Sequence, residues 1–139
     1  MAARPFAQWP FWRRLFGQRS ERTAAVYLRR RGYRILATNV TIGGHELDIV
    51  ALSRARVVVF VEVRSRTGAD TTPAVESVDT AKQRAILTAA LAYLKKHRLL
   101  NTPHRFDILA LAWPVGADRP TIVHIEQAFT SPQRWQWHT

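Results

Sequence analysis

The chain has 139 residues, of which 47% are apolar, and its 21 Lys and Arg against 10 Asp and Glu leave a formal net charge of +11. That length and apolar content fit one compact domain and exclude both a two-domain enzyme and a disordered basic tail. No cysteine is present, which removes disulfides, thiol nucleophiles and Cys-based zinc sites, so any metal must be held by oxygen or histidine.

No stretch reaches the roughly 18 consecutive apolar residues of a transmembrane helix. The N-terminus also lacks the apolar run and small-residue cleavage site of a signal peptide, so the expectation is a cytoplasmic protein. A positive excess this large points to a polyanion as partner, with nucleic acid first and an anionic membrane second.

Residues 1–19 form a basic aromatic arm without an acid: Phe6, Trp9, Phe11, Trp12, Leu15 and Phe16 alternate with Arg4, Arg13, Arg14 and Arg19. Pro5 and Pro10 confine any helix to the part after Pro10. Such an arm suits stacking on bases, lying on anionic lipid, or docking on its own domain. The domain proper is expected over 20–130, and a tail over 131–139 carries Trp135 and Trp137 beside Arg134, suited to base stacking or to folding back.

Ser20 reads as a helix N-cap, with Glu21 in the first turn, Ala24, Ala25 and Leu28 facing inward, and Gly32 as the stop. Glu21 shares a wheel face with Ala25 and Leu28, which is unusual for an acid. A short strand from Tyr33 to Asn39, a turn at Gly43 and Gly44, and strands over Glu46–Leu52 and Val57–Arg66 come next, the last two as a hairpin. The second arm of that hairpin is apolar on both faces until Glu62, the mark of a central strand in a covered sheet. Val58, Phe60, Glu62 and Arg64 take one face and Val57, Val59, Val61 and Val63 the other.

Residues 67–78 are rich in Gly, Pro, Thr and Asp and read as a mobile loop. A long helix is expected from about Asp79 to His97, with Lys82 in register with Ile86, Ala89 and Tyr93 on its inward stripe. Strands over Phe106–Trp113 and Ile122–Ile125 complete an αβββαββ order, a mixed α/β sheet covered by helices.

A hairpin turn centred on Ala55 sets Asp48 opposite Glu62 on one face, where directly opposed Cβ atoms lie about 4.5 to 5.5 Å apart. Two carboxylates that close repel unless a positive group sits between them, and a register slip of one residue would undo the pairing. A hard cation, Mg²⁺ or Mn²⁺, answers the repulsion with Asp48, Glu62 and the main-chain carbonyl of Val63 as ligands and water and phosphate filling its shell. It would polarise a phosphate and activate a bound water. Arg64 lies two residues beyond Glu62 on the same face to pair with that phosphate, with Glu21 closing the acidic cluster and Lys82 facing it. The competing reading is a salt-bridge network in which Glu46, Asp48 and Glu62 are neutralised by Arg64, Arg66 and Lys82. Against it, Glu62 interrupts a Val and Phe run where an acid is costly unless paired or metal-bound.

Asp48, followed after thirteen residues by Glu62-Val63-Arg64, resembles the PD-(D/E)xK nuclease motif of the restriction-endonuclease-like fold, seen also in archaeal Holliday-junction resolvases. The ordered set Glu21, Gly32-Tyr33, Asn39, Glu46-Leu47-Asp48, Phe60-Val61-Glu62-Val63-Arg64, Lys82 and Arg105-Phe106-Asp107 is similar to a bacterial family, the YraN-type endonuclease-like proteins. The resemblance covers about Ser20 to Phe129. It implies a central mixed sheet flanked by helices, Asp48 and Glu62 as metal ligands, Glu21 as an accessory acid and Arg64 in the motif's lysine position. A shared fold does not settle chemistry. Three departures stand out: Arg64 replaces the usual Lys and, always protonated, cannot be a general base. His45 replaces a Gly and alternates away from Glu46 and Asp48. Thr41 stands where many members carry Arg.

Two functional readings follow. One is a Mg²⁺-dependent nuclease hydrolysing DNA phosphodiester bonds, in branched or otherwise structured DNA. The other is a non-catalytic nucleic-acid-binding module that keeps the fold and holds phosphates through Arg22, Arg29, Arg30, Arg66, Lys82 and Arg84. A peripheral membrane adaptor using Trp9, Trp12 and Phe16 is the weakest reading. Exposed sheet edges and the resemblance to dimeric resolvases permit a homodimer, although no heptad or interface stripe argues for one.

Overall fold

The computed structural model describes residues 11–131, with side chains from Gln18 onward. The expectations for Phe6, Trp9, Trp12, Phe16, Arg134, Trp135 and Trp137 therefore lie outside the described side chains. Helix α1 (Phe11–Arg30) leads into β1 (Arg34–Ile42), β2 (His45–Leu52) and β3 (Val58–Thr67). A short α2 (Thr72–Glu76), α3 (Thr80–Lys96), β4 (His104–Trp113) and β5 (Thr121–Phe129) complete the described residues. The five strands form one sheet in the order β1-β2-β3-β4-β5. Only β3 and β4 are parallel, and such a pair needs a long crossover, which α3 supplies. This is the α/β architecture of the restriction-endonuclease-like fold, a mixed sheet flanked by helices.

Local chemistry explains most of the boundaries. Gly32, at φ 88, ends α1 with Gly32 N–H bonded to Arg29 C=O and Tyr33 N–H to Leu28 C=O, a Schellman closure. Gly43 and Gly44, at φ 60 and 76, make the two-residue hairpin between β1 and β2, where positive φ at both positions matches strand twist. Asp79 caps α3 by accepting from the Lys82 N–H at 2.8 Å. The stretch expected as a loop instead contains α2, held down by buried Ala74.

The helix start at Ser20 is a correction. Helix α1 begins at Phe11 and runs through Ser20, which is 2% exposed and accepts a 3.1 Å hydrogen bond from the Trp113 indole. A serine that resembles a cap is here a buried tertiary acceptor, so the helix passes through the boundary expected between arm and domain.

Two apolar layers hold the sheet. On one face Val50, Val58, Phe60, Phe106 and Ile108 pack against Ile86, Ala89, Ala90, Tyr93 and Leu94 of α3. Phe60 stacks on Phe106 at 5.4 Å and meets Tyr93 edge-on at 5.9 Å. On the other face Ile49, Ala51, Val59, Val61, Leu109 and Leu111 pack against Ala24 and Leu28 of α1. Burying each large side chain contributes about 1.5 to 3 kcal/mol, and burial on both faces is why β3 reads as a continuous apolar run. Among the described residues no helix is long and apolar enough to cross a membrane.

Candidate functional site

The β2–β3 hairpin has the register set by a turn centred on Ala55. Ile49 pairs with Val61, Val50 with Phe60, Ala51 with Val59 and Leu52 with Val58. Ser53 fixes that turn, its hydroxyl accepting from Val57 N–H at 3.1 Å and its carbonyl from Arg56 N–H at 3.0 Å. Asp48 and Glu62 are thus the next opposed pair, and there the ladder stops. Asp48 Oδ2 instead accepts from the Val63 N–H at 2.9 Å, a side chain taking the place of a strand carbonyl.

The adjoining strand breaks at the same level. Thr38 pairs with Ile49 and Val40 with Leu47, leaving Asn39 opposite Asp48 outside the ladder with φ 52. Asparagine is among the few residues that accept a left-handed backbone. Leu47 and Val50 both join the α3-side core, so the strict alternation expected along this strand fails around Asp48. The row Asn39, Asp48, Glu62 is a gap in the sheet's hydrogen bonding, and polar side chains fill it.

Glu62 is 5% exposed and its Oε1 lies 3.4 Å from Arg64 Nε and 3.5 Å from Lys82 Nζ. Burial, and then the charge of Asp48, push its carboxyl up to about 8 against the opposing pull of Lys82 and Arg64. The two cations stand at ion-pair distance without satisfying the site: Arg64 Nε is buried without a hydrogen-bond partner. Lys82 thus occupies the inward position that its register with Ile86 and Ala89 predicts.

Glu21 reaches the gap from α1. Its carboxylate accepts from Asn39 Nδ2 at 3.0 Å. Burial raises its pKa, Asn39 opposes that, and the charges of Asp48 and Glu46 add to it. Glu46 is raised too, by burial and then by Asp48, with Lys82 opposing. Asn39 and Glu46 are therefore members of the site to which sequence reasoning assigned no catalytic role. The signals for both were their places in the ordered family pattern and, for Asn39, its residue type, an αL-tolerant side chain inside a strand.

The basic residues divide. Arg22, Arg66 and Arg84 are exposed, on α1, β3 and α3 respectively. Arg66 turns away from the carboxylates, donating to the Ser65 carbonyl at 2.8 Å. Arg29 and Arg30 sit in the last turn of α1. His45 is exposed, as its alternation predicts, and Thr41 pairs with Glu46 at the hairpin end.

Among the described residues no three His, Asp or Glu side chains group as a metal cage. The donors that do meet are two carboxylates and the edge of β3 at Val63. The N–H and C=O of one strand residue point to the same side, so the Val63 carbonyl shares the edge that its N–H offers to Asp48, beyond the last β2 pair. Few protein oxygens with the shell completed by water and phosphate is the habit of Mg²⁺. Two surface concavities, of about 390 and 430 Å³, include neither Asp48 nor Glu62.

The description "Uncharacterised protein family UPF0102" matches residues 20–111. A UPF0102 protein of Rhodopirellula baltica is 41% identical over 117 residues, covering 83% of this chain and 70% of the relative. A UPF0102 protein of Trichlorobacter lovleyi is 42% identical over 113 residues, covering 81% and 88%. A third, from Myxococcus xanthus, is 40% identical over 121 residues, covering 86% and 93%. The aligned region contains the whole acidic row together with Arg64 and Lys82, and on these matches the chain belongs to the UPF0102 family.

Proposed function

We propose that this protein is a metal-dependent nuclease that hydrolyses DNA phosphodiester bonds, with branched or otherwise structured DNA as its substrate class. The observation that carries the reading is the meeting of two carboxyls where the β2–β3 ladder stops: Asp48 accepts from Val63 N–H at 2.9 Å, and opposite it Glu62, 5% exposed, has Arg64 and Lys82 at 3.4 and 3.5 Å while burial and Asp48 push its pKa upward. Strongly perturbed carboxyls with a specific charge partner concentrate where chemistry is done. Asp48, Glu62 and the Val63 carbonyl would hold Mg²⁺ or Mn²⁺. The bound ion would lower the pKa of a water and polarise the scissile phosphate.

The chain's own residues supply the rest. Glu21 and Asn39 brace the acidic row from the β1 side. Lys82 and Arg64 would hold the phosphate's charge, and Arg64 Nε, which lacks a hydrogen-bond partner, would donate to a phosphate oxygen. Arginine remains protonated and cannot take a proton from the attacking water. That single fact favours a second reading, a nucleic-acid-binding module that retains the fold without efficient turnover.

One experiment separates them. The purified full chain is incubated with a four-way junction and with linear duplex, with Mg²⁺ or Mn²⁺ or with chelator. Metal-dependent cleavage that falls to background in both Asp48→Asn and Glu62→Gln is the expected result. Salt-sensitive binding without cleavage, and no metal-induced rise in melting temperature, establishes the binding module instead. A metal present at 100 times its dissociation constant stabilises the fold by about 2.7 kcal/mol, so the melting readout is sensitive. Equal residual cleavage in both variants would mean a contaminant.

A further inference from the structure

The acidic row lies at one level of the sheet, and the cations pile up at the opposite end. No acid occurs from Arg22 to His45, from Ile49 to Val61, or from Thr80 to Phe106. The fold brings the ends of those three stretches together. Helix α1 finishes with basic residues at 29–31, and Arg34 opens β1 beside Leu52. Arg54 and Arg56 sit in the β2–β3 turn, where the Arg54 guanidinium lies so close over Gly32 that a Cβ there would collide with it. On the other face α3 ends at Lys95 and Lys96, followed by Arg98. The segment after α3 returns to the same level, since Pro103 C=O accepts from Val58 N–H at 2.9 Å.

These cations are exposed. None of them joins the ion pairs formed among the described residues, which belong to Glu62, Asp107 and Glu126. Helix C-termini favour basic residues, which accounts for those in the last turns of α1 and α3. It does not account for Arg34, Arg54, Arg56 or Arg98, which lie outside the helices. Gathering like charges costs folding free energy unless an anionic partner offsets it. Among the described residues the surface also lacks the apolar layer of a lipid-binding face: of the exposed large apolar residues, Val115 and Val123 lie elsewhere, and only Val26 and Leu36 stand at its margin.

We propose that this pole, formed by the ends of α1 and α3 and the β2–β3 turn, is a second nucleic-acid surface that grips phosphate backbone independently of the acidic row. The strand from Arg56 to Glu62 separates the two by about 20 Å at about 3.3 Å per residue. At that separation the pole would take a second segment or arm of the nucleic acid. The surface operates whether or not the acidic row cuts.

The test uses the full chain and a fluorescein-labelled 20-base-pair duplex, with anisotropy followed from 50 to 200 mM salt. The variant Arg30→Gln/Arg56→Gln/Lys96→Gln, its fold checked by circular dichroism melting, is expected to bind at least tenfold more weakly. Its log–log salt slope should be shallower by about 2 to 3, at about 0.9 for each phosphate no longer neutralised. If the triple variant unfolds, Arg56→Gln alone should reduce the slope by about 0.9. Asp48→Asn keeps the wild-type slope whatever it does to cleavage, which separates this surface from the nuclease reading. A wild-type slope in the folded variants overturns the proposal. So does wild-type protein that binds no duplex, or a weakening confined to anionic phosphatidylglycerol vesicles.

Discussion

Two carboxyls are buried in this sheet, and they are treated in opposite ways. Asp107 on β4 is 0% exposed and fully satisfied. Its Oδ1 accepts from Arg105 Nε at 2.8 Å and from Gln127 N–H at 3.0 Å, and its Oδ2 from Arg105 at 2.8 Å and His124 Nε2 at 2.7 Å. Burial alone would raise its pKa, but the His124, Arg105 and Gln127 bonds together outweigh that and lower it. Glu62 on β3 is 5% exposed, with cations at 3.4 and 3.5 Å, and is pushed upward. Proximity of positive charge is common to both. What differs is the number of well-directed donors, and that difference separates an acid whose hydrogen-bonding capacity is filled from one whose neighbours leave it poorly compensated.

The largest effect expected from breaking this contrast is at Asp107. Removing one partner of a buried, hydrogen-bonded ion pair costs about 3 to 5 kcal/mol, because Arg105 and His124 lose their acceptor together. Asp107→Ala should therefore lower the unfolding free energy, read by urea denaturation, by that amount. The same carboxylate shapes the acid limb. Its folded pKa lies below its unfolded value, so its contribution is present above about pH 4 and is lost as pH falls through the folded pKa. Asp107→Asn should flatten stability against pH in that acid window and leave the slope near neutrality unchanged. An unaltered acid limb would assign the limb to other carboxylates.

An intermediate effect is expected at Asn39, where the site depends on backbone rather than charge. Its φ of 52 makes a Cβ uncomfortable, and a left-handed conformation costs an ordinary residue about 1 to 2 kcal/mol. Asn39→Ala should destabilise by roughly that amount, adding the loss of the Glu21 bond. Asn39→Gly restores the backbone freedom and loses only the bond, so chemical denaturation should find it the milder of the two. The reverse order would mean that the left-handed backbone at residue 39 does not set the cost of the substitution.

These residues also show where the sequence was legible. The β2–β3 register could be read because a short turn between two apolar runs admits few alignments, and the inward Lys82 because helical periodicity is strict over α3. The break at Asn39 and Asp48 could not, since a period of two assumes an unbroken ladder. The start of α1 was hidden because Ser20 has the chemistry of a cap while its partner, Trp113, is 93 residues away. The Asp107 network was visible only as a motif, Arg105-Phe106-Asp107. Its donors come from β4 and β5, and no local pattern links His124 to Asp107.

The smallest stability effect, and the sharpest test of the contrast, belongs to Glu62. If its surroundings disfavour a charge, Glu62→Gln removes a burial cost and gives up two ion pairs. Lys82 and Arg64 are 31% and 24% exposed and can turn toward water, so neither is left as an uncompensated buried charge. The ion pairs are long and lack a satisfied hydrogen bond at Arg64 Nε. The net change is expected to lie between zero and a stabilisation of about 1 kcal/mol, since replacing a poorly compensated buried charge is often neutral or favourable. Urea denaturation at pH 8 without divalent ions reads it directly. A destabilisation of about 3 kcal/mol or more, of the size expected for Asp107→Ala, would make Glu62 a second structural acid and remove the main support for a catalytic row.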